Sequence, residues 1–205
     1  MKTLRILPFL ISFLAPYIMA NAVLAFDPPK QAYKATYDTV SANGVKSQIS
    51  MAWNGKDIGV SRMTIDGQNL RIVSDFKNNK AILFMDEHKV AHQIPLDVEY
   101  VEIYDMDAYK KRATKNLGTK RIDGHNCQGY VFTDHGVSRE VWIGDECKVV
   151  VVMKRPGADS NNLTLKTFDK APPASEFIAE IPANYDVSVP NSTKTEPKKL
   201  KKGNN

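Results

Sequence analysis

The chain has 205 residues, of which 42% are hydrophobic and 25% charged, with two cysteines and four histidines. This composition is that of an ordinary globular domain, and it excludes wholesale disorder, a collagen-like repeat and a disulfide-dense scaffold. The formal net charge of +5 comes from the two ends of the chain, because the body between them has 21 basic and 22 acidic residues. Without a basic body, nucleic acid is not an expected partner.

The first 25 residues have the three parts of a secretory signal peptide. Lys2 and Arg5 give a positive start, an apolar stretch follows, and a small-x-small pattern ends at Ala25. We expect cleavage between Ala25 and Phe26, and no nearby cysteine supports lipidation. The alternative is an uncleaved anchor, but two prolines and an apolar stretch shorter than about 20 residues argue against a spanning helix. The mature protein is expected to be exported and soluble.

From residue 31 to residue 94, runs of β-branched and aromatic residues alternate with Gly, Asn and Asp turns, a pattern typical of antiparallel sheet. The runs predict six consecutive strands at residues 32–40, 45–53, 58–65, 70–76, 81–85 and 89–94. Strands joined by turns this short usually pair with their neighbours in sequence, so we expect a meander.

The segment Asp105–Lys115 is the best helix candidate, because Asp105 can cap its start and Gly118 follows its basic last turn. A second β section comes next. Its strands are expected at residues 120–122, 126–133, 139–143, 148–154 and 163–168. The run Val149–Met153 has no polar alternation, which predicts a strand buried on both faces.

After Asp186 the chain loses apolar residues, so residues 188–205 are expected to form a disordered, Lys-rich tail. Such lysines either make weak contact with anionic lipid headgroups or simply keep the protein soluble. The expected organisation is a signal peptide at 1–25, one domain at 26–187 and the tail.

The two cysteines, Cys127 and Cys147, are expected to form a disulfide in an oxidising compartment, with a contribution of about 3 kcal/mol. Two buried free thiols are the alternative. Neither cysteine has the nearby second cysteine that a zinc site requires.

The disulfide also predicts the register of the hairpin that contains it. If the cysteines face each other directly, Phe132 lies opposite Trp142, and the hairpin needs a longer loop or a bulge. A two-residue turn at residues 135–136 would instead place Cys127 opposite Gly144.

No residue pattern indicates catalysis or metal binding. His88 and His92 have a spacing that binds metal on a helix, but here they fall in a strand or turn without a third ligand. Asp134, His135 and Ser138 crowd one hairpin turn, whereas a nucleophile–base relay usually draws its members from separate elements. We therefore expect no enzyme, no metal and no cofactor.

Four segments resemble a known family. Residues 117–130 (LGTKRIDGHNCQGY) resemble the G-x-x-x-I-x-G-x-x-C-x-x-Y segment of exported bacterial domains of unknown function, which look like the LolA-like lipoprotein-carrier superfamily. Residues 140–143 match the "vWv" strand of these domains, residues 173–185 look like their F-x-x-P-x-g-Y ending, and residues 75–84 resemble their turn and "wil" strand.

The resemblance implies a mainly β (α+β) fold. Its strongly curved antiparallel sheet would form an incomplete barrel, with one to three short helices on the concave side. Members of the carrier branch hold lipid acyl chains in that concavity. By this resemblance, we expect a protein that binds a lipid or another hydrophobic ligand. Together with the signal peptide, this predicts a periplasmic protein, and we expect a monomer.

Candidate lining residues of that concavity are Trp53, Met63, Phe84 and Trp142, and ordinary core packing is the alternative for each. The alternative function is an interaction or sensor protein of the cell envelope with no small-molecule ligand. An exposed apolar patch without an internal cavity would favour that alternative.

Overall fold

Strands dominate the computed structural model, which describes residues 28–40, 44–65, 67–96, 104, 106–134, 136–155 and 162–188. The strands are β1 Tyr33–Val40, β2 Lys46–Trp53, β3 Ile58–Ile65, β4 Gln68–Asp75, β5 Lys80–Met85, β6 Val90–Pro95, β7 Lys115–Ile122, β8 His125–Asp134, β9 Val137–Gly144, β10 Val150–Lys154, β11 Asn162–Asp169 and β12 Asp186–Ser188. The described part also contains an α-helix, α1 (Met106–Arg112), and a 3₁₀ helix, Ala174–Phe177. Neither is long and apolar enough to cross a membrane.

The twelve described strands form one open sheet, in the order β12-β6-β5-β4-β3-β2-β1-β11-β10-β9-β8-β7. β1 to β6 form the predicted meander, and pairing of β1 with β11 joins them to the second β section. β7 and β12 are the two edges, so the sheet is not closed into a barrel. The predicted fold class, a curved and mainly β incomplete barrel with few helices, is confirmed.

The sheet curves around the segment that carries α1. The ring of Tyr104 lies 5.6 Å from that of Trp53 on β2, and the ring of Tyr109 lies 5.3 Å from that of Phe132 on β8. β2 and β8 are five strand spacings apart, which is about 24 Å in a flat sheet. Side chains of β1, β2 and β8–β10 nevertheless meet those of Tyr104, Met106 and Tyr109 in one apolar cluster. Because one cluster gathers side chains from strands that far apart in the sheet, we conclude that the sheet curves around the α1 segment and that α1 lies on the concave side.

The helix is shorter than the sequence predicts. It ends at Arg112, and β7 already begins at Lys115. The amide of Thr114 donates a hydrogen bond to the carbonyl of Val131 (2.8 Å), so pairing with β8 takes the residues that the sequence pattern assigned to the helix. Gly118, expected just after the helix, lies instead at a bulge in β7 with a φ of 76°.

The β8–β9 hairpin has the two-residue turn, and Gly136 in that turn has a φ of 76°. Cys127 consequently pairs with Gly144. The predicted register, with Phe132 opposite Trp142, is therefore wrong. Both cysteines are free and buried in this structure.

The short strand β12 was not predicted from the sequence, whose pattern indicated an antiparallel sheet only. Val187 pairs in parallel with Ala91 of β6. Three residues of mixed polarity carry no strand pattern of their own, and the free edge of β6 provides the hydrogen bonds that order them. Residues 1–27 and 189–205 lie outside the described residues, so the signal peptide, its cleavage between Ala25 and Phe26, and the tail stay predictions.

Two apolar clusters hold the described residues together. The larger cluster gathers around α1 and contains buried side chains of β1, β2 and β8–β10 with Tyr104, Met106 and Tyr109. The smaller cluster contains Ala52, Val60, Val73, Ile82, Phe84 and Ala91, and the C-terminal residues Phe177, Ala179, Ile181 and Tyr185 pack against it. Both faces of the sheet are therefore covered in part, one by the α1 segment and the other by C-terminal residues.

Replacing Gly59 with alanine should destabilise the protein by about 1–3 kcal/mol, because a Cβ there would lie 2.5 Å from the ring of Tyr104. Chemical denaturation measures the change. As a control, the same substitution in a Tyr104→Leu background should cost clearly less. An equal cost in both backgrounds would show that the ring contact is not the cause.

Candidate functional site

Side-chain alternation gives the β1–β6 meander two different faces. The helix face carries Tyr33, Trp53 and the other residues that contact the α1 segment. The opposite face is crossed by residues 174–188, which we call the strap. The strap contacts β1 and β3 through Glu176 and ends as β12 beside β6. We call this opposite face the strap face.

One part of the helix face is closed by a packed aromatic group. Trp53 is fully buried, its ring is 5.4 Å from Phe76 and 5.6 Å from Tyr104, and its Nε1 donates a hydrogen bond to the carbonyl of Pro29 (2.6 Å). Burial raises the pKa of Tyr104 and of Tyr37 well above the ordinary value. These phenols are therefore neutral at physiological pH, and the group acts as apolar packing.

Beyond the aromatic group, the helix face continues as a strip of apolar side chains that we call the inner band. Its members come from five neighbouring strands: Ile49, Met51, Met63, Leu70, Ile72, Leu83, Met85 and Val90. Ile49, Met63 and Leu70 are successive cross-strand partners, and so are Ile72 and Leu83.

The inner band is only partly covered. Leu70 and Ile72 are buried, with 8% and 6% exposure, whereas the other six side chains are half-buried. Among the described residues, Met51 packs against the larger cluster, and the other seven belong to neither cluster. The band is therefore an apolar surface beside the core.

On the strap face, Glu176 anchors the start of the strap. Its carboxylate lies 3.2 Å from Nζ of Lys34 and accepts a hydrogen bond from Arg62. Arg62 lies directly opposite Arg71 across β3 and β4. Two neighbouring arginines repel each other, so the carboxylate stabilises this part of the sheet as well as the strap.

The other end of the strap is held at Asp86, which accepts hydrogen bonds from Tyr185 (2.7 Å) and from Arg71 (3.3 Å). Partial burial alone would raise the pKa of Asp86, but the hydrogen bonds from Arg71 and Tyr185 outweigh it and hold that pKa below its ordinary value. The same guanidinium lies 3.9 Å from the centre of the Phe84 ring and donates to the carbonyl of Ile178. Arg71 thus connects the sheet, the turn after β5 and the strap.

Beside the strap lies an outer groove of about 260 Å³. Its lining includes Met63 and Leu70 of the inner band. The other lining residues are polar or charged, among them Gln48, Ser50, Arg62, Thr64, Asn69 and Arg71 on the strap face. Burial of an apolar ligand there would cost the hydration of two guanidinium groups. The groove is therefore a poor site for a hydrophobic molecule.

The structure does not place the four predicted lining residues on one surface. Trp53 is on the helix face but inside the aromatic group, and Met63 belongs to the inner band. Phe84 is fully buried under the strap, on the other face. Trp142 also points away from α1, because its strand neighbour Val141 lies on the helix face with Tyr130.

Trp142 is buried, with 8% exposure, and belongs to the larger apolar cluster. Its ring covers Gly129, its Nε1 donates a hydrogen bond to Glu140 (2.6 Å), and Nζ of Lys120 lies 5.8 Å from the ring centre. Partial burial would raise the pKa of Glu140, but hydrogen bonds from Trp142 and Lys154 lower it below the ordinary value. The group explains the burial of Trp142 without a ligand.

The other sequence candidates are not brought together. His92 contacts Ser188 of the strap through Nδ1, while His88 lies in the preceding turn. No group of three or more His, Cys, Asp or Glu close enough to hold a metal occurs in the described part of the chain. His135 lies outside the described residues.

The inner band and the strap were not predicted from the sequence. Alternation along the strands, for example at Leu70 and Ile72 and at Leu83 and Met85, is the sequence signal of the band, and Met63 was its one member among the predicted lining residues. The strap has no comparable periodicity, and its buried side chains become visible only when the smaller cluster is known.

The chain belongs to the family described as "Domain of unknown function (DUF4412)", whose model matches residues 38–171. No curated protein matches the chain. The family match confirms the predicted relation to domains of unknown function, and the open curved sheet is the architecture that the LolA-like resemblance implied.

Among solved structures, an uncharacterized conserved protein from Thermus thermophilus matches with a TM-score of 0.57 and 9% identity, over 78% of this chain and 91% of that chain. A LolA superfamily protein from Nitrosomonas europaea matches with a TM-score of 0.36 and 10% identity, over 76% and 93%. MucB, solved in complex with MucA(peri), matches with a TM-score of 0.44 and 11% identity, over 77% and 56%. At these identities the likeness to the Thermus protein shows a shared fold alone.

Replacing Glu176 with glutamine should lower the free energy of unfolding by about 1–2 kcal/mol, because Lys34 and Arg62 lose the charge that they share. The strap should loosen first, so hydrogen exchange of the β12 amides should become faster. The matched control is Glu180→Gln, at an exposed position of the same strap. Equal effects of the two variants would contradict the anchoring role of Glu176.

Proposed function

We propose that this member of the DUF4412 family is an exported periplasmic protein that binds a lipid or another hydrophobic ligand on the inner band. The observation that carries the proposal is a strip of eight apolar side chains on the concave side of the sheet, six of them only half-buried. Water contact with such a strip is unfavourable, and a bound apolar molecule removes it.

The shape of the inner band favours an elongated apolar molecule. The band crosses five strands, from β2 to β6, which corresponds to about 19 Å at the usual strand spacing. Across its short direction the band is two rows of side chains wide. One row contains Met63, and the other contains Ile72 and also the polar residues Ser61 and His92. A hydrocarbon chain laid along the band would gain about 0.8 kcal/mol for each buried CH₂ group.

The side chains of the band are suited to a ligand of variable shape. Three of the eight are methionines, Met51, Met63 and Met85, and methionine adapts to irregular surfaces because it is unbranched and polarizable. The aromatic group around Tyr104 closes one side of the band. The ligand would therefore lie beside this group, with its long axis perpendicular to the strands.

Export is supported by the sequence of residues 1–25, which has the charged start, apolar middle and small residues of a signal peptide. In the periplasm, the lysines beyond residue 190 would add weak attraction to anionic lipid surfaces. The proposal assigns a binding role to a monomer, with no chemical step and no cofactor. The alternative function is that of an envelope interaction protein without a small ligand, and the test below distinguishes the two.

Replacing Met63 with aspartate should weaken binding of a fluorescent unsaturated fatty acid by about tenfold or more, because the carboxylate would lose hydration beneath the ligand. The matched control is Thr64→Asp, the next residue in β3, which is exposed on the strap face. Its affinity should stay within about twofold of the wild type. Fluorescence titration gives the affinities, and thermal unfolding checks that both variants are folded.

The proposal fails if the wild-type protein shows no saturable binding of the fatty acid. It also fails if folded Met63→Asp and Thr64→Asp proteins bind equally well. Retention of another envelope protein by wild type and variants alike, without fatty acid binding, would favour the competing role.

A further inference from the structure

The two free thiols lie beside each other in an arrangement that the register of the hairpin creates. Cys127 of β8 pairs with Gly144 of β9, and residues paired in this way point to the same face of the sheet. A Cβ on Gly144 would lie only 2.4 Å from Sγ of Cys147. The sulfur of Cys147 therefore takes the place that a side chain at position 144 would have, directly across from Cys127.

The turn between β9 and β10 brings the second sulfur there. The amide of Lys148 donates a hydrogen bond to the carbonyl of Gly144 (3.0 Å), and the amide of Gly144 donates to that of Val149 (3.0 Å). The amide of Asp145 also donates to the carbonyl of Asn126 (2.8 Å), which fixes the turn against β8. These bonds fold Cys147 back over its own strand.

We propose that Cys127 and Cys147 form an intramolecular disulfide that ties β8 to the β9–β10 turn, and that Gly144 is required to make room for it. This pairing differs from a direct cross-strand disulfide, because the second cysteine reaches its partner from the turn and not from the opposed position. Paired antiparallel residues have Cβ atoms about 4.5–5.5 Å apart. A sulfur near the position of residue 144 therefore needs a shift of roughly 1–2 Å, together with a rotation of the Cys127 side chain, to reach the S–S bond length of about 2 Å.

The oxidation proceeds by thiol–disulfide exchange with a donor disulfide, either oxidised glutathione or a disulfide-bearing oxidoreductase. One cysteine loses its proton and attacks the donor, which gives a mixed disulfide and releases one donor thiol. The second cysteine then loses its proton and attacks the mixed disulfide. The S–S bond between the two Sγ atoms forms, the second donor thiol leaves, and the donor has gained the two electrons.

The surroundings suit a structural bond. Cys127 is fully buried and Cys147 is 7% exposed. Burial raises the pKa of both thiols, so neither is a reactive thiolate at neutral pH. Residues of the larger cluster, among them Val149 and Val151, lie next to the pair and shield it from external thiols.

The test uses the purified full chain, refolded from denaturant in a buffer of oxidised and reduced glutathione, so that both thiols are accessible while the bond forms. The refolded protein is then unfolded in the presence of an alkylating reagent. We expect no alkylation of the monomer, a peptide that joins Cys127 to Cys147 in non-reducing mass spectrometry, and a denaturant midpoint that falls when reductant is added. The Cys127→Ala/Cys147→Ala variant should show no change of midpoint with reductant. Two alkylated cysteines in the oxidised monomer, or crosslinking only between molecules, would overturn the proposal.

The role of Gly144 is tested separately by Gly144→Ala. Its methyl group would displace the sulfur of Cys147, so the crosslinked fraction after the same exposure to oxidised glutathione should fall at least severalfold. A folded Gly144→Ala protein that crosslinks as completely as the wild type would refute the requirement for glycine. This inference does not depend on a bound ligand, so it stands or falls independently of the binding function.

Discussion

The contact of Tyr104 with Gly59 and Trp53 is the constraint on which the shape of the molecule depends. The ring of Tyr104 lies against the bare Cα of Gly59, within ring-contact distance of Trp53 and Phe76. A few residues further on, α1 packs against β8, so this short segment joins the two β sections from inside the curve. Where the segment lies, the concave side is filled. Where it does not, the inner band keeps its apolar side chains partly exposed.

The two faces of the meander differ in polarity because different elements cover them. The strap covers the apolar part of its face and is held by charged groups at both ends, Glu176 and Asp86. Beside the strap, the described residues of that face form a groove lined by two arginines, Arg62 and Arg71. The inner band lies on the other face and keeps an apolar surface. This asymmetry is why a hydrophobic ligand is proposed for the concave side and not for the groove.

Local patterns were sufficient to predict the meander and most strands, because tight turns with Gly, Asn or Asp restrict neighbouring strands to antiparallel pairing. They failed where a distant partner decides the structure. β7 shortens α1 because β8 supplies hydrogen bonds to Thr114, and β12 exists because β6 has a free edge. Phe84 and Trp142 were predicted to line the concavity, whereas the register places Phe84 under the strap and turns Trp142 of β9 away from α1. Met63 was the one candidate on the band, because alternation in β3 fixes its face.

The central claim is that the inner band holds an apolar ligand in the cell. Native mass spectrometry of the protein purified from the periplasm of its own host, followed by lipid extraction, tests this claim most directly. The account predicts a monomer with added mass, and an organic extract that contains the corresponding hydrophobic molecule. A bare protein mass together with an extract no richer in lipid than that of an unrelated control protein, prepared in the same way, would contradict it.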